Sequence, residues 1–439
     1  MTEVWIVGGG LAGCEAAWQL ADRGLDVHLI EMRPGESTGA HRSDKLAEIV
    51  CSNSLKSTLP DTASGLLKAE LDILGCRLLD AARSVSVPAG HALAVDRDAF
   101  AAAVTSALER HPRIAIERRR QDDLDLPVPA IVATGPLTAE AFSRALRVHC
   151  SSEHLHFYDA IAPSVETESI DETVGFRASR YGKGSADYLN MPLTQEQYAH
   201  LMRRIQEADL VVPHGFEEKR YFEACLPIEV MAARGEDTAR FGPMRPRGLV
   251  DPRTGKEPYA VVQLRQESAT GGLLGLVGFQ TRMTHGAQEE MIRSIPGMSE
   301  ARILRYGSIH RNIFLNMPQV CAPYQRDRKR EGLFYAGQIC GVEGYVECIA
   351  SGLVAAFSVF ASVQGSQVVR LPDETMMGSL MSYIHTPTEH FQPMNANMGI
   401  IPGRAKVRGG RKARYMEASR RAAEAMHVYR ETNAWLFNG

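Results

Sequence analysis

The chain has 439 residues, of which 44% are hydrophobic and 23% charged, with a formal net charge of -3. Its length exceeds the roughly 250–300 residues at which a single core stops growing, so two domains are expected. The near-neutral balance excludes a globally basic nucleic-acid binder, and no run of about 18 apolar residues announces a membrane span.

The first predicted elements are a strand at Val4 to Val7, a glycine turn, a helix continuing through Cys14 to Leu20, and a second strand at Val27 to Ile30. Gly8, Gly10 and Gly13 spell GxGxxG, with Leu11 and Ala12 opening the helix. Gly8 and Gly10 let the backbone turn tightly and approach a pyrophosphate, and Gly13 lets helix and strand pack closely. Glu31 ends the second strand, where an acid accepts a ribose hydroxyl; Met32 and Arg33 follow it. An acid there fits an unphosphorylated adenosine ribose, as in FAD or NAD. The chain enters a strand at once, without a basic n-region or cleavage site, so no signal peptide is expected and the cytoplasm is the expected compartment.

A Gly- and Ser-bearing loop leads to Cys51, set in the polar run Cys-Ser-Asn-Ser with Asn53 and Ser54. Two readings stay open: a thiol beside the cofactor, or a structural one. Residues 63–80 have apolar spacing near 3.6 and predict one amphipathic helix. Strands are expected at 85–87 and 92–95, and Asp96 and Asp98 are suited to cap a helix over 99–109. Ala130 to Ala133 reads as a buried strand closing on Thr134 and Gly135, beside the cofactor. The eight cysteines are scattered without a CxxC and read as reduced thiols. His149, Cys150, His154 and His156 lie close together in a Ser-rich stretch, which reads as a solvated loop rather than a metal site.

From Tyr181 the texture changes, and a second domain over 181–305 is expected, inserted into a first domain formed by 1–180 and 306–439. The insert carries a helix over 193–208, Cys225 flanked by Glu223, Pro227 and Glu229, and strands at 260–264 and 273–277. The return strand ends at Gly337 and Gln338; Gly341, Glu343, Gly344 and Tyr345 then open a long helix. A strand, a glycine and a helix N-terminus make an anion site. Three cofactor-facing pieces favour FAD over NAD. The expected fold is therefore α/β: a Rossmann-like FAD-binding domain, its parallel sheet covered by helices, with an inserted smaller α+β domain. Arg404, Lys406, Arg408, Arg411, Lys412, Arg414, Arg420 and Arg421 crowd the C-terminal segment, and Arg326, Arg328, Lys329 and Arg330 form a second cluster. Each reads as a solvated face or as a seat for a polyanion.

Ten blocks beside GGGLAG carry a family resemblance: CSNSLKS, VPAGHALAVDR, GKGSADYLNMP, FEACLPIEVMA, RFGPMRPRGL, PYAVVQLRQ, LVGFQTRMTHGAQ, RYGSIHRN, AGQICGVEGYVE and FQPMNANMGIIP. From residue 4 to about 402 the chain resembles the folate- and FAD-dependent tRNA uracil-5-methyltransferases. It is more distantly similar to flavoproteins that modify wobble uridines. The resemblance implies transfer of the one-carbon unit of 5,10-methylenetetrahydrofolate to C5 of a T-loop uridine of tRNA, making 5-methyluridine, with reduced FAD as electron donor and NADPH or NADH as reductant. Uracil C5 is a poor nucleophile, and a thiolate added at C6 makes it an enolate-like centre. The resemblance assigns that thiolate to Cys225 and places Cys51 near the flavin as the second thiol. It also sets Gln338, Gly341, Glu343, Gly344 and Tyr345 against FAD. Ala224, Met191, His91 and Met398 stand where the family usually has Gly, Cys, Gly and Phe.

Alternatives from other classes are the same chemistry on a ribosomal RNA uridine, a flavin oxidoreductase of a small molecule, and a non-catalytic FAD-containing RNA-binding protein in which Ala224 has disabled the chemistry. The sequence gives no oligomeric state.

Overall fold

The computed structural model describes residues 2–151, 155–182, 185–211, 226–367, 370–388, 391–402 and 410–437. Its organising layer is a seven-stranded sheet whose order is Cys321–Ala322, Arg326–Asp327, Leu333–Tyr335, Ala130–Val132, Glu3–Val7, Asp26–Glu31 and Ile114–Arg118. The last five are parallel, and the first two pair antiparallel at the edge. Parallel strands buried on both faces need continuous apolar side chains. Val4, Ile6, Leu29, Ile131 and Val132 supply them and are fully buried.

The helices Leu11–Asp22 and Tyr345–Val363 cross in close contact over this sheet. A Cβ on Gly352 would sit 2.3 Å from the carbonyl oxygen of Ala12, so only glycine allows this approach. The expectation of no apolar run long enough to span a membrane is corrected here. Tyr345–Val363 has the length and apolarity of a span, and its residues are buried in the core against the first helix.

A second, antiparallel sheet has the order Phe176–Arg177, Tyr188–Leu193, Ala260–Gln266, Leu273–Leu276, Ser164–Glu166 and Ile303–Arg305. With the helices Gln195–Gln206, Ile228–Arg234 and His285–Arg293 it encloses its own apolar core. The sheet therefore starts at Ser164 rather than after residue 180, because Ser164–Glu166 pairs with both Leu273–Leu276 and Ile303–Arg305. Such pairing joins residues far apart in the chain and leaves no local signal. The helix Gln195–Gln206 starts where it does because Thr194 and Gln197 form a reciprocal capping box. An antiparallel ribbon, Leu155–Ala160 with Ile309–Phe314, carries the chain between the two sheets.

The single helix expected over 63–80 is two, Ala63–Ile73 and Arg77–Ser84. Gly75 breaks it in the left-handed region at φ +79°. The buried carboxylate of Glu15 then accepts the N–H groups of Arg77 and Leu78 at 3.1 and 2.9 Å, which caps the second helix through a tertiary contact. The basic C-terminal segment includes a helix, Arg411–Thr432, packed against Ala63–Ile73. Met191, the residue in place of the usual Cys, is buried in the second core between Gly175 and Gly297 and bears on packing.

Candidate functional site

The ends of the parallel strands and the first residues of the two crossing helices border an open cleft. Its lining runs from Arg119 and Gln121 past Glu31 and the glycine turn to Gln338 and Tyr345, which suits an extended ligand. Of the residues expected to hold a cofactor, Gly8, Gly10, Leu11, Ala12, Glu31, Met32 and Arg33 line it. Thr134, Gly135, Gly337, Gln338 and Tyr345 line the facing side.

Neither helix N-terminus has a side-chain cap; Gly10 precedes the first helix and Gly344 the long one. The first N–H groups of the first helix lack intrahelical partners and face the cleft as an anion site, whereas the long helix carries the Glu347 carboxylate in its own first turn, close to Gly344. A Cβ on Gly10 would meet no atom within 4 Å, so the backbone faces open space there. A Cβ on Gly13 would lie 1.9 Å from the Gly8 carbonyl oxygen. Gly10 therefore serves the cleft, and Gly13 serves the packing behind it.

Glu31 is buried in the cleft wall. Its Oε2 accepts Gly9 N–H at 2.9 Å, and its Oε1 accepts the backbone N–H and Nε–H of Arg33 at 3.0 and 2.9 Å. Burial alone would raise the carboxyl's pKa, but the hydrogen bonds and charge of Arg33 outweigh it and hold the group below the usual carboxylate range. Arg33 is fixed in turn by Glu48 at 3.1 Å. Each carboxylate oxygen can accept more than one bond, so Glu31 keeps capacity for a ribose hydroxyl while fixing the glycine turn.

Tyr345 joins the cleft to the thiol loop. Its hydroxyl accepts the backbone N–H groups of Cys51 at 2.7 Å and Ser52 at 3.0 Å. Burial, reinforced by the neighbouring Cys51, pushes the phenol well above its ordinary pKa, so it stays neutral. Cys51 itself is half-buried, beside the cleft-lining Val50.

Six expected cofactor residues sit behind the wall. Gly13 packs helix on strand. The Asn53 amide donates to Val95 O and Gln266 O, both at 3.0 Å, bridging toward the second sheet. Ser54 pairs with Ala94 in a small antiparallel sheet. Gly341 packs under Phe391, and Gly344 is the helix cap. Glu343 accepts from the Gln338 amide at 2.6 Å and so orients a residue that does line the cleft. Cys225, Glu223 and Ala224 lie outside the described residues.

The sequence reading missed Thr38, His41, Glu48 and the Arg119 to Gln121 corner of the cleft. The signal available was the strand Ile114–Arg118, parallel to Asp26–Glu31, whose end must reach the same edge. Cys348 also lines the cleft, its thiol raised by burial and by the nearby Glu343 and Glu347.

The two basic clusters differ. Arg330 spends its guanidinium on the carbonyls of Leu124 and Leu126, and Lys329 donates to His149 O and Ser151 Oγ at 2.8 and 2.7 Å. His149 pairs with Asp327 at 3.0 Å, while His154 lies outside the described residues. Arg411, Lys412 and Arg414 are exposed on the C-terminal helix, whereas Arg420 is shared by Glu417 and Glu424. Arg404, Lys406 and Arg408 lie outside the described residues.

A family model described as glucose inhibited division protein A matches residues 3–367. The methylenetetrahydrofolate–tRNA-(uracil-5-)-methyltransferase TrmFO of Anoxybacillus flavithermus is 49% identical over 429 residues, covering 97% of this chain and 99% of that one. The protein of the same name from Bacillus pumilus is 49% identical over 424 residues, covering 96% and 98%. Among solved structures, Aquifex aeolicus GidA in its form II crystal superposes with a TM-score of 0.69 at 17% identity, over 99% of this chain and 74% of that one, a likeness of fold.

Proposed function

The chain belongs to the family of methylenetetrahydrofolate–tRNA-(uracil-5-)-methyltransferases, and from that premise we propose that it transfers the folate one-carbon unit to C5 of a T-loop uridine in tRNA. The observation that carries this reading is the Tyr345 bridge. It ties the loop bearing Cys51 to the first residue of a helix that borders the cleft lined by the glycine turn and Glu31.

The extended cleft, the uncapped terminus of the first helix, the open space at Gly10 and the buried Glu31 fit FAD. Gly10, Leu11 and Ala12 would meet its pyrophosphate, Glu31 its ribose, and Gln338 and Tyr345 the other end. When bound and reduced by NADPH or NADH, the flavin supplies the two electrons that turn a methylene into a methyl.

The remaining work belongs to side chains. The Cys225 thiolate adds to uracil C6, the ring electrons pushed to C5 attack the donor's methylene carbon, and the bond from that carbon to its carrier nitrogen breaks with its electron pair left on nitrogen. The C5 proton then leaves to a base, the C6–S bond breaks by elimination, and the thiolate is regenerated. Cys51 is the second thiol of this reading, at the cofactor side of the uracil; its backbone N–H bond to the cleft-lining Tyr345 supports that role. The exposed Arg411, Lys412 and Arg414 suit the phosphates of the T-arm.

The test is incubation of the flavin-loaded protein with labelled methylenetetrahydrofolate, NADPH and tRNA lacking the T-loop methyl, followed by nucleoside analysis. Formation of 5-methyluridine that Cys225→Ala abolishes is the expected result. Product on ribosomal RNA alone would move the substrate, and no product on either RNA would overturn the reading.

A further inference from the structure

Six buried side-chain polar atoms in the described residues lack a hydrogen-bond partner, and three of them, Asn53 Oδ1, Arg97 Nε and Arg265 Nε, surround the Cys51 loop. Orphaned buried polar atoms are uncommon in native structures and call for a specific cause. For the two guanidinium nitrogens the cause lies in an excess of cations over acceptors.

Three guanidiniums converge on residues 50–52. Arg97 donates to Val50 O at 3.2 Å and to Glu267 Oε1 at 2.9 Å. Arg305 donates to the same carbonyl, and Arg265 reaches Ser52 Oγ at a weak 3.4 Å. Among the described residues the carboxylate bonded to these guanidiniums is Glu267, which is occupied by Arg97 and by the Ser164 hydroxyl at 2.8 Å. Arg265 and Arg305 are both half-buried, and among the described residues neither has an acidic partner. A partly desolvated charge without a counter-ion is costly, and a bound anion relieves it.

We infer that Arg265, backed by Arg305, is the subsite for a glutamyl carboxylate of the folate, which rests on the methyl-transfer reading above. Position supports this ligand. Arg265 ends the central strand of the second sheet, directly behind Ser52, and Val50 and Tyr345 on either side of that loop line the cofactor cleft. A one-carbon donor lying against the cofactor carries its carboxylate tail away from the reacting ring, toward the rim. The guanidinium fork accepts a carboxylate in a bidentate pair. Its recessed place between the two sheets contrasts with the exposed cations of the C-terminal helix, which suit an RNA backbone.

The test compares tetrahydrofolate with tetrahydropteroate, which lacks the glutamate, as ligands of the flavin-loaded protein, with binding read by calorimetry and by flavin fluorescence. Arg265→Gln is expected to weaken tetrahydrofolate about 10- to 100-fold, the range for a charge-assisted hydrogen-bond pair, and to leave tetrahydropteroate unchanged. Flavin absorbance and thermal unfolding check that the variant is folded. Should Arg265→Gln not fold, Arg265→Lys carries the same comparison, with a several-fold loss confined to tetrahydrofolate. Equal loss for both folates, or no loss, overturns the inference. A loss seen instead in tRNA affinity, with a salt slope shallower by about one phosphate, overturns it in favour of an RNA contact. Wild-type protein that binds neither folate overturns the underlying methyl-transfer reading, an outcome distinct from a protein that binds both folates without regard to Arg265.

Discussion

The hydroxyl of Tyr345 holds the backbone N–H of Cys51 at 2.7 Å, across 294 positions of sequence. The helix that supplies Tyr345 is anchored along its length in the core, so the thiol loop takes its position from a rigid element. Tyr345→Phe keeps the ring and removes the acceptor, leaving the N–H groups of Cys51 and Ser52 unpaired. A cost of about 1–3 kcal/mol in denaturant unfolding is expected, with a fall in kcat at saturating folate. Because burial keeps this phenol neutral, the variant should change the height of the pH–rate profile and leave its limbs in place. A shifted limb would show that Tyr345 titrates in the reaction.

Glu31 gives a stability effect with a defined sign. Its carboxyl lies below the ordinary range in the folded protein, so its hydrogen bonds contribute fully above about pH 4.3. The contribution is lost as pH falls through the lower folded value. Glu31→Gln should lower stability at neutral pH and flatten the acid side of a stability–pH curve measured by urea unfolding. Flavin content should fall with it, because Gly9 and Arg33 lose their shared partner.

The glycine motif was legible because a tight turn and a helix packed on a strand leave their marks within about ten residues of chain. The roles of its members were separable only in three dimensions. Gly10→Ala should fold with an unchanged melting temperature as apoprotein and bind FAD more weakly, since its new methyl enters open space on the cleft side. Gly13→Ala should fold poorly, since its methyl meets the Gly8 carbonyl at 1.9 Å. The measurement is the apoprotein melt beside the FAD dissociation constant, and equal behaviour of the two variants would refute the division.

What the sequence left unread was set by distant partners. Asn53 was expected against the cofactor, yet its amide reaches Gln266 on the other sheet. The second sheet's early start at Ser164 depends on strands more than a hundred residues later. Gly75 was visible inside the helical pattern over 63–80, but the buried Glu15 that makes a helix restart profitable there was not. The arginines at 326–330 read as a basic face, whereas Arg330 closes on carbonyls of a loop two hundred positions earlier.

Glu229, four positions after the proposed nucleophile Cys225 in the sequence, tests whether an acid of this segment moves protons or holds structure. Its carboxylate accepts the Thr281 hydroxyl at 2.9 Å and the Arg282 N–H at 3.0 Å, with the Arg282 guanidinium 3.6 Å away. Thr281 N–H in turn bonds Ile161 O, and Gln288 ties Met283 O to Gly307, so the network ends where the chain passes between the sheets. Glu229 is buried and its hydrogen bonds tie its helix to the Thr281–Arg282 segment, which makes it a positioning residue for the segment that follows Cys225. Glu229→Gln keeps the shape and one acceptor, and it should cost a few-fold in kcat with flavin content and both pH limbs unchanged. Glu229→Ala strands the Arg282 charge and should cost about 2–4 kcal/mol in unfolding. If Glu229→Gln instead erased a limb of the pH–rate profile while stability held, Glu229 would be the base that removes the uracil C5 proton.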